Sequence, residues 1–218
     1  MKTKTRSLLS LCLAVVLVVS AVFGTIAYMT AQDSVKNTFT VGSFSKPTTD
    51  PDQPDQPLTG CDGYIYEENW VDNSKLIPGD SIPKDPRVGI GAGSEDAWVY
   101  VYIKNNLVAK DADAVTFTLK DGWVPVEDQV TAITTEDGTV YTGGLFKYNT
   151  MLSTAEGKDA WTTTIFDEVD VSADATVDGF GENLTMVVNA FIHQAKDDSG
   201  LIQDTVIDQA AVAWAAGL

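Results

Sequence analysis

Ala97-Trp-Val-Tyr-Val-Tyr-Ile-Lys104 is the stretch that decides the fold. Trp98, Tyr100 and Tyr102 fall on one side of an extended chain, and Ala97, Val99, Val101 and Ile103 on the other. Apolar or aromatic groups on both sides predict a central strand covered on both faces. The text on either side is also β. Val115-Thr-Phe-Thr-Leu119 alternates, Asp121-Gly122 is a turn signal, and Trp123-Val-Pro-Val126 follows. Val130 to Thr135, Glu136-Asp-Gly-Thr139 and Val140-Tyr141 read as a hairpin, and Leu145-Phe-Lys-Tyr148 as a further short strand. Upstream, Tyr64-Ile-Tyr66 is a short strand. In Leu76-Ile-Pro-Gly-Asp80, Pro78 and Gly79 suit the two central positions of a type II turn. Ile82 to Val88 holds two prolines and fits an edge strand, while Gly89, Gly91 and Gly93 predict a loop.

Downstream, Ala160 to Val171 continues the pattern, with Trp161, Phe166, Val169 and Val171 as core. Asn183 to Gln194 is a second long central strand. Beyond the Asp197-Asp-Ser-Gly200 loop, Ile207, Ala210, Ala211 and Trp214 take helical spacing behind Asp204, a residue suited to an N-cap. Roughly eight to ten short strands with turn signals predict an all-β, jelly-roll-like β-sandwich. One C-terminal amphipathic helix lies against it.

The chain start has another character. Lys2, Lys4 and Arg6 precede an apolar run from Leu8 to Val22, broken only by Ser10 and Ser20, and Gly24 ends it. This is the pattern of a cleavable signal peptide, residues 1–27, with the cut between Ala27 and Tyr28. An uncleaved membrane anchor is the alternative, since Leu8 to Tyr28 is about the 20 residues a bilayer requires. Cys12 sits inside the apolar run, which disfavours a lipidation site. Within residues 28–44, Lys36-Asn-Thr-Phe-Thr-Val-Gly-Ser-Phe44 has Phe39 and Val41 on one side and Thr38, Thr40 and Gly42 on the other. It predicts an N-terminal strand. Residues 45–60 open with Ser45-Lys-Pro-Thr-Thr-Asp-Pro-Asp-Gln-Pro-Asp-Gln-Pro57, which has no apolar side chain apart from proline and predicts a stiff spacer outside the core. The sandwich domain then occupies 61–218. Such a spacer lets the N-terminal strand fold back onto its own domain or reach a neighbour.

Of 218 residues, 14 are Lys or Arg and 31 are Asp or Glu, for a net charge of −17. Without the signal peptide, 11 basic residues stand against 31 acidic ones. That charge disfavours nucleic acid and anionic lipid as partners, leaving membrane contact to the signal peptide alone. Cys61 is then the only cysteine, so no intrachain disulfide can form and the core must hold the fold.

Catalytic signals are weak. His193 is the lone histidine, without HExxH or nucleophile-elbow sequence, and as a strand residue it is expected at the surface or an edge. No catalytic, cofactor or resident metal site is expected. Calcium is the one ion the acidic pairs invite, at Asp111 with Asp113, Asp167 with Asp170, and Asp197 with Asp198, although none has EF-hand spacing. Trp70, Trp98, Tyr100, Tyr102, Trp123, Trp161 and Trp214 are expected mainly in the core, with a carbohydrate platform as the alternative.

The segment GTIAYMTAQDSVKNTFTVG (24–42) resembles the signal and first strand of the TasA/camelysin family, whose members carry a SipW-dependent type of signal peptide. LIPGDSIPKDPRVGIGAGSEDAWVYVYI (76–103), LTMVVNAFIHQAKD (184–197) and AAVAWAA (210–216) are similar to the bodies of the same group, and the proline-rich spacer departs from it. The resemblance implies a secreted, fibre-forming biofilm-matrix protein of a Gram-positive-type bacterium. It also implies that one subunit's N-terminal strand completes the sheet of the next, through self-assembly or with related matrix proteins. By position the donor strand would be Thr38, Phe39, Thr40 and Val41 through Phe44. The alternatives are a monomeric surface binding module or adhesin, and a camelysin-like metallopeptidase, for which a lone His193 is little support.

Overall fold

The structure is a computed structural model. It describes residues 30–34, 44–53, 56, 63–69, 74–108, 113–136, 138–154, 156–176, 180, 184–197, 200–202 and 204–218. In chain order the strands are β1 (Thr30–Ser34), β2 (Ile65–Tyr66), β3 (Ser81–Pro83), β4 (Arg87–Ile90), β5 (Ala97–Asn105), β6 (Val115–Thr116) and β7 (Trp123–Thr135). They continue as β8 (Gly138–Tyr148), β9 (Ala160–Trp161), β10 (Glu168–Val171), β11 (Met186–Gln194), β12 (Lys196–Asp197) and β13 (Gly200–Leu201), before the helix α1 (Asp204–Ala215).

A five-stranded antiparallel sheet, ordered β1-β11-β5-β8-β7, forms one layer. Its centre is the predicted strand β5, paired along nine residues with β11 from Asn105↔Met186 to Ala97↔Gln194. Two three-stranded sheets, β3-β10-β6 and β2-β4-β9, form the opposing layer. Alternation explains the core between them. Val99, Val101 and Ile103 of β5 and Val188, Ala190 and Ile192 of β11 meet Ile82, Val88, Ile90, Val115, Val169 and Val171 from the smaller sheets.

The other face of the large sheet carries α1. Tyr100, Leu145 and Phe191 pack against Ile207, Ala211 and Ala215, which recur every fourth residue along one helix face. Trp214 lies on Phe191 with ring centroids 5.3 Å apart. The contact has a polar latch. The Tyr100 hydroxyl donates to the Asp208 carboxylate at 2.5 Å, and Lys147 Nζ approaches the same oxygen at 3.0 Å. Lys147 also lies over the Trp98 and Tyr100 rings at 4.8 and 5.5 Å, where a cation is favoured by the ring quadrupole.

Several turns fall where expected. Gly79 (φ 86°) and the Asp80 N–H to Ile77 carbonyl bond make the turn at Pro78-Gly79, and Gly122 (φ 97°) makes the one after Asp121. Three expectations need correction. Gly89 lies inside β4 and Gly91 bridges Ser45, so only Gly93 turns the chain. A Cβ at Gly89 would strike the Trp161 ring, and one at Gly91 would strike the Lys46 carbonyl; both glycines permit close approach. The segments 123–126 and 130–135 are one strand, bent by a register shift between Pro125 and Val130 with Asp128 at φ 59°. Ala160 to Val171 is two short strands rather than one.

The expected spacer is, in its first part, a strap fastened to the body. Phe44 is buried, the Gly91 N–H donates to the Ser45 carbonyl at 2.6 Å, and Pro47 is buried. Asp159 then accepts from Thr48 N (2.5 Å), Thr49 N (2.8 Å), Thr49 Oγ1 (2.8 Å) and Ala92 N (2.8 Å). Burial opposes ionisation of Asp159, but these donors outweigh it and hold its carboxyl below the usual carboxylate range. A lowered folded value means that its contribution is complete above the unfolded value and lost as pH falls through the folded one. Asp159→Ala is expected to free residues 45–53, read as faster protease cleavage there at neutral pH with the body intact. Wild-type protein should approach that rate only in acid.

Candidate functional site

The edge of the large sheet at β1 and β11 is the candidate site. β1 pairs with the side of β11 that faces away from β5, in the register Thr30↔His193, Ala31↔Ile192, Gln32↔Phe191, Asp33↔Ala190 and Ser34↔Asn189. Among the described residues its other side is unpaired. Without β1, the core strand β11 would present an open edge of main-chain donors and acceptors, the arrangement that recruits another strand. Nine residues, 35–43, join Ser34 to the anchored Phe44, a reach of about 30 Å when extended.

The described amino-terminal strand is β1, which precedes the Thr38–Phe44 stretch expected to form one. Thr30–Ser34 has no apolar alternation, and it pairs through its main chain with a strand whose other edge and both faces are already engaged. Thr38, Phe39, Thr40 and Val41 lie outside the described residues, as do the cleavage-site residues Ala27 and Tyr28, and Cys61, Trp70, Asp111 and Asp198. Phe44 belongs to the protein's own core, and its carbonyl accepts from the Tyr64 hydroxyl at 3.1 Å.

His193 sits in β11 directly opposite Thr30 and is only 4% exposed, not at the surface as expected. Its ring packs near Phe191 at 5.8 Å, and Nδ1 lies 2.8 Å from the Gln194 carbonyl. Burial pushes its pKa down, and the Gln194 carbonyl opposes this only in part. A depressed folded value keeps the imidazole neutral in the fold, whereas the unfolded chain takes up a proton near the ordinary pKa of about 6.5. Stability is therefore expected to fall as pH drops below about 6.5, by up to about 1.4 kcal/mol per pH unit. Denaturant titrations of wild type and His193→Gln between neutral and mildly acidic pH check this, since the variant should lack that slope.

The Asp167 and Asp170 pair serves local contacts. Asp167 pairs with Lys120 at 2.6 Å and accepts from Thr164, and Asp170 accepts from Ser81. Among the described residues no group of three or more His, Cys, Asp or Glu could hold a metal ion. Of the aromatics, Trp123 is buried with Nε1 donating to the Thr163 carbonyl at 3.1 Å, and Trp161 stands 6.1 Å from Tyr66. An open groove of about 560 Å³ lies beyond the end of α1, lined by Tyr102, Lys104, Asn105, Asp128, Gln129 and Thr131 among others. No described helix is long and apolar enough to cross a membrane. Compared with protein-family models, with curated proteins and with solved structures, the chain matches none.

Proposed function

We propose that this chain is an exported structural protein of an extracellular or biofilm matrix, assembling into fibres when the first strand of one copy pairs with β11 of another. The carrying observation is β1 itself: a five-residue edge strand joined to the body only through residues 35–43, and opposite a core strand along its whole length. If signal peptidase cuts after Ala27, β1 begins at the third residue of the new chain, so a free end can enter a neighbour's edge. The same main-chain bonds form within one chain or between two, and little enthalpy separates the states. Contacts passed from each copy to the next do not close, so they propagate. The two β layers with α1 on the outer face are read as a jelly-roll-like sandwich. Phe44 serves its own core, so the exchanged segment is Thr30–Ser34. The resemblance to the TasA/camelysin family supports the same reading.

The alternative is a monomeric surface module, for which the groove beside Tyr102 and Asn105 would be the binding surface. The chain purified from the medium of a secreting host separates them. Wild type should form fibres, and Ala31→Pro/Gln32→Pro should remain monomeric. Consecutive N–H groups of a strand point to opposite sides, so one of the two prolines must remove a donor to β11. Monomeric wild type, or fibres from the double variant, would refute the exchange.

A further inference from the structure

Among the described residues the large sheet has a second unpaired edge, β7, whose two halves differ. The inner half is protected against pairing by Pro125 and by the bulge at Glu127 to Gln129, where Asp128 has φ 59°. The outer half, Val130–Thr135, has no proline and no charge, and five of its six residues are β-branched. Thr131, Ala132, Thr134 and Thr135 are exposed, while Val130 packs against the core, so this half is an exposed edge anchored at its inner end, the first arm of a hairpin with β8. An uncharged, β-prone edge of this length is a template for another strand.

We propose that Val130–Thr135 is a docking edge for a second copy of this chain, which lays the free side of its β1 there and continues the sheet from one molecule into the next. Charge selects the occupant. Pairing β7 with the β7 of another copy, in the antiparallel register that aligns the two uncharged halves, sets Glu136 of the partner opposite Gln129 and beside Glu127 on the same face, once at each end. β1 has five residues against six and a single charge, Asp33, which can face an uncharged position. The two free edges of one sheet thus match in length and avoid opposed carboxylates, and joining them is head-to-tail. The inference rests on the reading of the chain as an assembling protein. It adds a side-to-side contact that does not require the strand to leave its own β11.

A cis-locked chain separates this contact from exchange. Ser34→Cys/Asn189→Cys, in a Cys61→Ser background and oxidised as monomer, ties β1 to its own β11 across an observed register pair. In sedimentation the locked chain should self-associate with rising concentration. Adding Ala132→Glu/Thr134→Glu, both at exposed positions, should weaken that association by about tenfold or more, because like charges then face Asp33. Thr118→Glu/Thr150→Glu adds the same charge at exposed sites away from the edge and should leave it unchanged. A locked chain that stays monomeric at every concentration overturns the inference, as does equal weakening by both pairs of glutamates. Exchange is judged separately, by whether the unlocked Ala132→Glu/Thr134→Glu chain still forms fibres; these are expected to be single and unbundled.

Discussion

Phe117→Ala is expected to lower the stability of the folded chain by about 3–5 kcal/mol, a large part of the roughly 5–15 kcal/mol typical of a domain. Phe117 is fully buried, with its ring centroid 4.5 Å from Phe166, 5.7 Å from Phe146 and 6.2 Å from Tyr141. It follows directly on β6 in one layer and exchanges two main-chain bonds of 2.8 Å with Tyr141 of β8 in the other. The ring therefore fills the place where the layers are joined, and its loss leaves a cavity lined by other rings that cannot all collapse into it. Urea unfolding should show a lower midpoint at unchanged slope, with Phe117→Leu losing much less. A loss below about 1 kcal/mol for the alanine variant would mean that the layers are held elsewhere.

Asp208→Ala is expected to cost about 1–3 kcal/mol, concentrated at the helix. Tyr100 is buried to 0% exposure, and burial first, then the Asp208 contact, pushes its phenol upward, so it stays a neutral donor at any physiological pH. Removing the carboxylate leaves that buried hydroxyl without its acceptor and takes from Lys147 its closer anion, leaving Asp204 at 3.8 Å. Amide exchange in 204–215 should accelerate well before the rest of the sheet, and Asp208→Asn should retain part of the protection because an amide oxygen still accepts. Uniform acceleration across β5 and β11 would show that α1 and the sheet open as one unit.

The elements with a two-sided or periodic apolar pattern were legible in the sequence. β5, β11 and α1 stand close to where alternation and fourfold spacing predict them, because burial on two faces leaves few other solutions. The candidate edge was legible only in kind. Phe39 and Val41 predict a strand at 38–44, of which 38–43 lie outside the described residues, and the described strand Thr30–Ser34 has nothing apolar beyond Ala31 to announce it. Main-chain pairing to β11 is a long-range fact with no local signature. The strap shows the same limit. Prolines and aspartates predict a spacer, and a single distant carboxylate, Asp159, supplies the acceptors that fasten it. His193 reads as one more alternating strand residue, and only the packing beside Phe191 and the β1 pairing place it inside.

The most direct measurement is the origin of the strand beside β11 in an assembled fibre. Ser34→Cys/Asn189→Cys chains in the Cys61→Ser background, assembled under reducing conditions and then oxidised, report it on a non-reducing gel through the Ser34↔Asn189 pair. Strand passage between copies predicts a ladder of covalent multimers. Fibres that dissolve entirely into intramolecularly bonded single chains would contradict it.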